Sequence, residues 1–241
     1  NWQTGPHGKR VLVWECIPDS VSGADGGWNS DYFPINHEQK YRHTLWVKRN
    51  TTSNGSTYLG TVNVCNLGST TINNNPYFMG GGYLPSADKW YLFVGVIHGS
   101  GDDSTTNEGG MYDPDTGLKV VGFTDFKFNT SQTTSRSRAY LYYSTNTAAR
   151  QQFWNPRFEV VDGREPSIQT LLSGGDKPSV QTLLYEASDD YIIAASDSAY
   201  TIVDSNANYK KVKDLAVSKS GTISVQWEGY IHSGSYYWSW V

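Results

Sequence analysis

The chain has 241 residues, of which 17% are charged and 14% aromatic, and its formal net charge at pH 7 is −4. This acidic balance argues against electrostatic binding to nucleic acid, which requires a basic surface. No run approaches the roughly 18 apolar residues of a membrane-spanning helix, and no Lys- and Arg-rich amphipathic helix predicts a membrane-surface role. Abundant Tyr, Trp, Gly, Ser, Thr and Asn with few charges are typical of β-rich, often extracellular proteins. Because the chain begins with Asn1 rather than Met, we expect it to be a piece of a longer protein.

Alternating apolar and polar residues, the pattern of half-buried strands, recur along the first two thirds of the chain. The predicted strands are residues 9–17, 41–49, 58–65, 89–99, 119–128, 138–144 and 153–162, and the predicted polar loops include residues 20–30, 66–76, 99–110 and 130–135. Residues 89–99 are apolar on both faces, as in a central strand. No window of about 12 residues before position 163 has a helical period. Residues 1–163 are therefore predicted to be an all-β, jelly-roll β-sandwich.

A short repeat follows the predicted sandwich. PSIQTLL at 166–172 recurs as PSVQTLL at 178–184. Each copy has Pro where a first helical turn tolerates it and a stripe of apolar residues at helical spacing. Because a turn or two of helix is unstable alone, we expect these stripes to dock either on the sandwich or on another copy of the chain. The second alternative predicts a homo-oligomer formed through residues 166–184.

The residues after the predicted sandwich fall into two segments with different sequence patterns. Residues 164–185, which contain the repeat, are assigned to a linker. Residues 186–241 return to strand-like alternation and are assigned to a smaller C-terminal β-module, which would have a marginal core alone.

The two cysteines, Cys16 and Cys65, both fall in predicted strands. We interpret them as two buried thiols. A disulfide between them would need Cα atoms within about 7 Å, which the sequence leaves open. No Cys/His cluster supports a zinc site.

Two carboxylates in the predicted strands raise the alternative of a catalytic function. Glycosidases need two carboxylates about 5–10 Å apart, and Glu15 and Glu159 lie in predicted strands. Alternation places Glu15 on an apolar face, where it must be paired, and Arg42 or Arg157 is the expected partner. This pairing is favoured over catalysis, and a polysaccharide-degrading enzyme or its accessory module remains a further hypothesis.

Carbohydrate binding better explains the surplus of aromatic residues. The flat C–H faces of sugars stack on Trp and Tyr rings, and polar side chains bind their hydroxyls. Trp14, Trp90 and Trp154 are expected in the core, whereas Trp46 is expected on the polar face of its strand. The candidate ligand-binding residues are Trp28, Arg42, Trp46, Tyr77, Arg138, Tyr140, Tyr142 and Arg157.

A structural Ca²⁺ is the cofactor that the acidic loops suggest. Calcium binds six to eight oxygen atoms of carboxylates, carbonyls and water. The expected donors are Asp25, or Asp102 and Asp103 in a Gly- and Ser-rich loop. No EF-hand spacing is present.

The motifs taken together resemble a known class of module. They are VWEC at 13–16, ADGGWN at 24–29, YFPI at 32–35, YRHTLWVK at 41–48, KWYLFVG at 89–95, RAYLYY at 138–143 and FWNPRFEVVDG at 153–163. This succession resembles jelly-roll modules of phage and viral tail fibres and of large secreted surface proteins, and is similar to carbohydrate-binding modules of the galactose-binding-like class. The segments YKKVKDLAV at 209–217 and GTISV at 221–225 resemble a short fibre-type β-module.

The resemblance implies a scaffold at a virion or cell surface that engages a glycan or host receptor, in some relatives with a structural calcium ion. Our first hypothesis is therefore a non-catalytic recognition domain of a virion fibre or surface protein. The alternative is a structural assembly module of such a fibre.

Overall fold

A computed structural model of the chain describes residues 1–174, which form sixteen strands and one short helix. The strands are β1 (Trp2–Thr4), β2 (Arg10–Leu12), β3 (Trp14–Cys16), β4 (Ala24–Asn29), β5 (Phe33–Pro34), β6 (Tyr41–Arg49), β7 (Ser56–Gly60), β8 (Val64–Asn66), β9 (Tyr77–Gly80), β10 (Trp90–His98), β11 (Gly110–Tyr112), β12 (Lys119–Gly122), β13 (Phe126–Phe128), β14 (Thr134–Ser135), β15 (Arg138–Tyr142) and β16 (Gln151–Val160), and the helix is α1 (Ile168–Ser173). The all-β prediction is confirmed for this part of the chain, in which no helix has the length and apolar character needed to cross a membrane.

The larger sheet has the strand order β12-β11-β10-β6-β16-β3, with β13 joined to β10 and β8 joined to β13. Its pairs within residues 1–174 are antiparallel, apart from the short parallel pair of β10 and β13. Every residue of β10 is buried, and so is every residue of β6 except Lys48. The sequence prediction that β10 is a central strand is confirmed.

The smaller sheet is antiparallel and has the order β4-β15-β7-β9. Successive side chains of a strand point to opposite faces. On β15, Ala139 and Leu141 are therefore fully buried, whereas Arg138, Tyr140 and Tyr142 on the other face are half-buried. One face of this sheet thus packs inward and the other is open.

The two sheets pack face to face around one apolar core. Leu45, Val47 and Phe93 of the larger sheet and Leu59 and Leu141 of the smaller sheet belong to the same buried cluster. The arrangement is sandwich-like, and it leaves each sheet with an outer face.

Part of the outer face of the larger sheet is covered by α1 and by the N-terminal segment, whose His7 ring packs edge to face on Trp46 at 5.2 Å. Ser167 caps the helix by accepting a hydrogen bond from the Thr170 N–H, and Gly174 ends it in the left-handed conformation. Leu171 and Leu172 are buried in a second apolar cluster with Val13, Trp46, Trp90, Leu92, Val94 and Val96. The first copy of the repeat therefore docks on its own chain. The second copy, at 178–184, and the predicted module at 186–241 lie outside the described residues.

This covering corrects the prediction for Trp46. Alternation along β6 predicted a polar, accessible face for this residue, but Trp46 is 2% exposed. The prediction was wrong because it assumed that the outer face of the sheet meets solvent. The opposite error affects Trp14, which was expected in the core but is 55% exposed on the edge strand β3.

Four predicted segments also differ in their local structure, and one of them, the predicted strand 119–128, is two strands, β12 and β13. The predicted strand 58–65 is two strands in different sheets, β7 and β8, separated by a turn in which Asn63 has a φ of 62°. The predicted loop at 20–30 contains β4, whose glycines hid its strand character. The predicted strand 9–17 is interrupted at Val13, between β2 and β3.

The cysteine interpretation is confirmed. Cys16 and Cys65 are both buried and unbridged. Burial raises the pKa of the Cys16 thiol to about 12, so this thiol stays protonated and unreactive at neutral pH.

Candidate functional site

The open face of the smaller sheet carries a cluster of tyrosines. Tyr140 and Tyr142 project from β15, Tyr58 lies opposite Tyr140 on β7, and Tyr77 lies on β9. All four are half-buried. We call the surface formed by Tyr58, Tyr77, Tyr140 and Tyr142 the tyrosine face.

The four rings form a closed cycle of contacts. Ring centroids are 4.9 Å apart for Tyr58 and Tyr77, 6.4 Å for Tyr77 and Tyr140, 5.3 Å for Tyr140 and Tyr142, and 5.6 Å for Tyr142 and Tyr58. Each pair has the edge-to-face geometry that aromatic rings prefer, which stabilises a pair by about 0.5–1.5 kcal/mol beyond area burial. The cycle fixes the rings relative to one another before any ligand binds.

Glycines let the rings approach the backbone. Tyr77 pairs with Gly60 across the sheet, and a Cβ at position 60 would lie 2.5 Å from the Tyr77 ring. A Cβ at Gly81 would lie 3.3 Å from the Tyr58 hydroxyl oxygen. The absence of side chains at Gly60 and Gly81 leaves room for the Tyr77 and Tyr58 rings.

Polar groups border the rings. The Arg138 guanidinium lies 4.5 Å from the centroid of the Tyr77 ring and donates to the Pro76 carbonyl. Its Nε is buried without a hydrogen-bond partner among residues 1–174. On the opposite side, the Tyr140 hydroxyl donates to Asn29 Oδ1. The face thus combines ring surfaces with a cation, an amide and phenolic hydroxyls.

The hydroxyls keep their protons at neutral pH. Burial raises the pKa of Tyr58, Tyr77 and Tyr140 above the ordinary tyrosine value. For Tyr77 and Tyr140 the positive charge of Arg138 opposes this rise, and the net direction stays upward. The three phenols therefore remain neutral donors and acceptors in this pH range. This combination suits a ligand with flat apolar patches and many hydroxyls.

The structure brings together four of the predicted ligand-binding residues: Tyr77, Arg138, Tyr140 and Tyr142. The other four lie elsewhere. Arg42 and Arg157 both donate to the carboxylate of Glu159, and Arg42 also donates to the Pro166 carbonyl, which ties β6 to the segment that leads into α1. Trp46 is in the cluster under α1.

Trp28 projects from β4 on the side away from the tyrosine face. Its ring packs edge to face on Phe153 at 4.9 Å, and its Nε1 lies 3.4 Å from the Ser137 hydroxyl oxygen. The residue is half-buried at the side of the core. It therefore does not contribute to the same surface as Tyr140 and Tyr142.

The predicted partner of Glu15 was wrong. Glu15 accepts hydrogen bonds from Gln152 and Asn1, while Arg42 and Arg157 hold Glu159. Sequence alternation could not identify which strand neighbours which, and β16 places Gln152 directly opposite Glu15. Both carboxylates have structural partners in this arrangement.

The predicted calcium donors do not form one group. Asp25 is buried and accepts from the Ser144 N–H, while Asp102 accepts from His98 and from the Ser104 N–H. Asp103 is exposed. Among residues 1–174, no three His, Cys, Asp or Glu side chains converge as metal ligands. The calcium site stays a prediction, and an unchanged melting midpoint on adding a chelator would count against it.

Sequence reasoning missed Tyr58 and the role of Asn29. The available signal at Tyr58 was its alternation with the buried Leu59. Its pairing with Tyr140 is a long-range register that one sequence does not reveal.

Comparison with known protein families, curated proteins and solved structures finds no match for this chain. The function proposed next therefore rests on the geometry and chemistry of the tyrosine face.

Proposed function

We propose that residues 1–163 are a jelly-roll recognition domain of a virion fibre or other surface protein, which binds a glycan or host receptor without catalysing a reaction. The observation that carries the proposal is the tyrosine face: four rings in mutual contact, open on one side and bordered by Arg138 and Asn29. Two mainly antiparallel sheets packed face to face support the jelly-roll assignment.

The physical basis of binding is preorganisation. Tyrosine offers a large contact area and a polar group at low conformational-entropy cost. On a sheet whose other face is in the core, the rings are held by their neighbours, so little freedom remains to be lost on binding. A sugar would place its C–H face against the rings and its hydroxyls against the phenols, Asn29 and Arg138.

The proposal is tested on an array of bacterial, algal and animal glycans with the wild-type chain and with Tyr140→Ala and Tyr142→Ala. Binding to at least one glycan class is expected, and each variant should weaken it by about tenfold, or about 1.4 kcal/mol. The matched control is Tyr112→Ala, which removes a half-buried tyrosine from β11 of the larger sheet. Melting midpoints of all variants report whether the fold is retained. A silent array, or equal losses in the control and in the face variants, would refute glycan binding by the tyrosine face.

A second candidate function is structural assembly. The edge strand β12 is exposed along its whole length, and Val120, Val121 and the preceding Leu118 are exposed apolar residues. An exposed apolar edge can pair with another chain. Sedimentation velocity distinguishes this function: a silent glycan array together with concentration-dependent self-association that Val120→Lys abolishes would favour assembly.

A further inference from the structure

A second aromatic surface lies close to the tyrosine face. A cleft of about 290 Å³ is lined by the indoles of Trp14, Trp28 and Trp154 and by Leu12 and Phe153. Trp14 comes from the edge strand of the larger sheet and Trp28 from the edge strand of the smaller sheet. The cleft therefore opens at the side of the sandwich, where the two sheet edges meet.

The three tryptophans of this cleft are only partly buried in the core. Trp14 is 55% exposed, although its ring centroid is 6.1 Å from that of Trp28. Leu12 beside it is also exposed. Single exposed apolar residues are ordinary, but a contiguous group in a concave site is typical of a binding surface.

A bulge in β16 shapes one wall. Pairing with β6 shifts between Trp154 and Arg157, and the residues at the shift are Asn155 and Pro156. Asn155 has a φ of 52°, in the left-handed region, and its side chain is exposed at the cleft. Bulges commonly re-aim a side chain beside a functional site. Here the bulge adds a polar amide to an otherwise apolar wall.

Strand β4 connects the cleft to the tyrosine face. Trp28 and Asn29 are consecutive residues, so their side chains lie on opposite faces of the strand. Trp28 lines the cleft, and Asn29 accepts the hydrogen bond of Tyr140 on the tyrosine face. Because β4 is an edge strand, the two surfaces are separated by the width of one strand. Gly27, which pairs with Tyr140, adds no side chain to this ridge.

From this juxtaposition we infer that the tryptophan cleft is a second subsite for the same glycan chain, which would cross β4 from the tyrosine face. This inference rests on the proposed function. The volume lies at the lower limit of ligand sites, so the cleft suits one sugar ring and not a whole oligosaccharide. The ring would stack on Trp14, and its hydroxyls would meet Asn155. The ligand class is thus an extended polysaccharide or oligosaccharide, in preference to a terminal monosaccharide.

The test uses the polysaccharide with the strongest array signal, cut by partial acid hydrolysis into fractions of two to eight units. Calorimetric titration of the full chain should give an affinity that rises with length to a plateau. Trp14→Ala should weaken binding of the longest fractions about tenfold, to the level of the short ones, and leave the short ones unchanged. Trp14→Phe, which keeps a smaller ring, should give an intermediate loss. Leu118→Ala, at an exposed apolar residue beside β12, at the opposite edge of the larger sheet from Trp14, is the control and should follow the wild type.

Other results separate this inference from the proposed function. If Trp14→Ala equals the wild type at every length while Tyr142→Ala loses binding, the second subsite is wrong and the tyrosine face stands. If Trp14→Ala instead abolishes self-association in sedimentation velocity with no effect on glycan length dependence, the cleft is an interface between copies and the inference is also overturned. If no fraction binds, or Tyr142→Ala binds like the wild type, both fail together.

Discussion

His98 is the residue whose hydrogen-bond partners most clearly call for a charged side chain. The imidazole is fully buried, with Nδ1 2.8 Å from Asp102 Oδ2 and Nε2 3.2 Å from Asp125 Oδ2. Asp125, also fully buried, accepts from the N–H groups of Glu108 and Gly109 as well. A ring that donates from both nitrogens must be protonated. Lys40, Lys119 and Lys127 are cations near this group, and Glu108 is a further acid.

The pKa directions give this group a defined pH dependence. The hydrogen bond to Asp125 raises the pKa of His98, burial opposes it, and Asp102 adds to the rise. A raised folded-state pKa means that the stabilisation is complete below about pH 6.5 and is lost as the pH rises through the folded-state value. The hydrogen bond from His98 lowers the pKa of Asp102, so the contribution of Asp102 is complete above about pH 3.9 and is lost on further acidification.

We therefore expect His98→Gln to lower the free energy of unfolding most in mildly acidic solution. Removing the cation from a buried pair costs about 3–5 kcal/mol, so a loss of that size is expected at pH 5.5 and a smaller one at pH 9. Urea unfolding followed by tryptophan fluorescence at both pH values measures it. His37→Gln is the control, because the His37 ring contacts the Ser100 hydroxyl. A difference between wild type and His98→Gln that does not change with pH would contradict the charged state.

Unlike the contribution of His98 to stability, ligand binding by the tyrosine face should not depend on pH near neutrality. Since burial raises the pKa of Tyr58, Tyr77 and Tyr140 above the ordinary value of about 10, these phenols do not ionise between pH 6 and pH 9. The dissociation constant of the best array glycan should stay constant over this interval in calorimetric titrations. A steep loss of affinity between pH 7 and pH 9 would show that an ionising phenol contacts the ligand.

At the scale of elements, β4 depends on the absence of a side chain at Gly27. This residue has a φ of 133°, and a Cβ there would lie 2.0 Å from the Ala139 carbonyl oxygen. Gly27→Ala should therefore separate β4 from β15, lower the melting midpoint by several degrees and weaken glycan binding. Gly122→Ala on β12 is the control, because an added Cβ meets no atom within 4 Å there. Equal melting midpoints for both variants would contradict the close approach of β4 and β15.

Helix α1 is too short to be stable by itself, so its docking must come from burial of its apolar side chains. Leu171→Ala removes a side chain packed in the cluster that contains Trp46, and should cost about 2–5 kcal/mol. Gln169→Ala, at an exposed position of the same helix, should change stability by less than about 0.5 kcal/mol. Chemical unfolding measures both. A negligible effect of Leu171→Ala would mean that the helix does not cover the larger sheet.

The elements also show where sequence reasoning succeeds. The strands β6 and β10 were predicted within a residue or two, β6 from its alternation of apolar and polar residues and β10 from its long apolar run. The strand β4 was missed because its Gly26 and Gly27 are typical of loops, and their function depends on the approach of β15. The strands β7 and β8 were merged into one predicted strand at 58–65 because the turn at 61–63 contains neither Gly nor Pro, while Gly60 before it belongs to β7.

At the scale of the whole molecule, exposure depends on which faces are covered. Tyr140 and Tyr142 were correctly placed on one strand face, and that face is open because no described element packs on it. Trp46 has the same local pattern, yet it is buried against the His7 ring, about 40 residues earlier, and in a cluster with Leu171 and Leu172 of α1, more than 100 residues later. Trp14 is exposed because β3 lies at a sheet edge. A single sequence contains the alternation but does not identify the packing partners. It therefore predicts which side of a strand a residue lies on better than it predicts whether that side is exposed.

The central claim is that the tyrosine face contacts a glycan. The most direct measurement is the set of tyrosine ring resonances in ¹³C–¹H spectra of the full chain, during titration with the strongest array glycan. We expect the ring resonances of Tyr58, Tyr77, Tyr140 and Tyr142 to shift in proportion to the bound fraction. The ring resonances of Tyr91 and Tyr112 on the larger sheet should not shift. Saturable binding that leaves the four rings unshifted would contradict the claim.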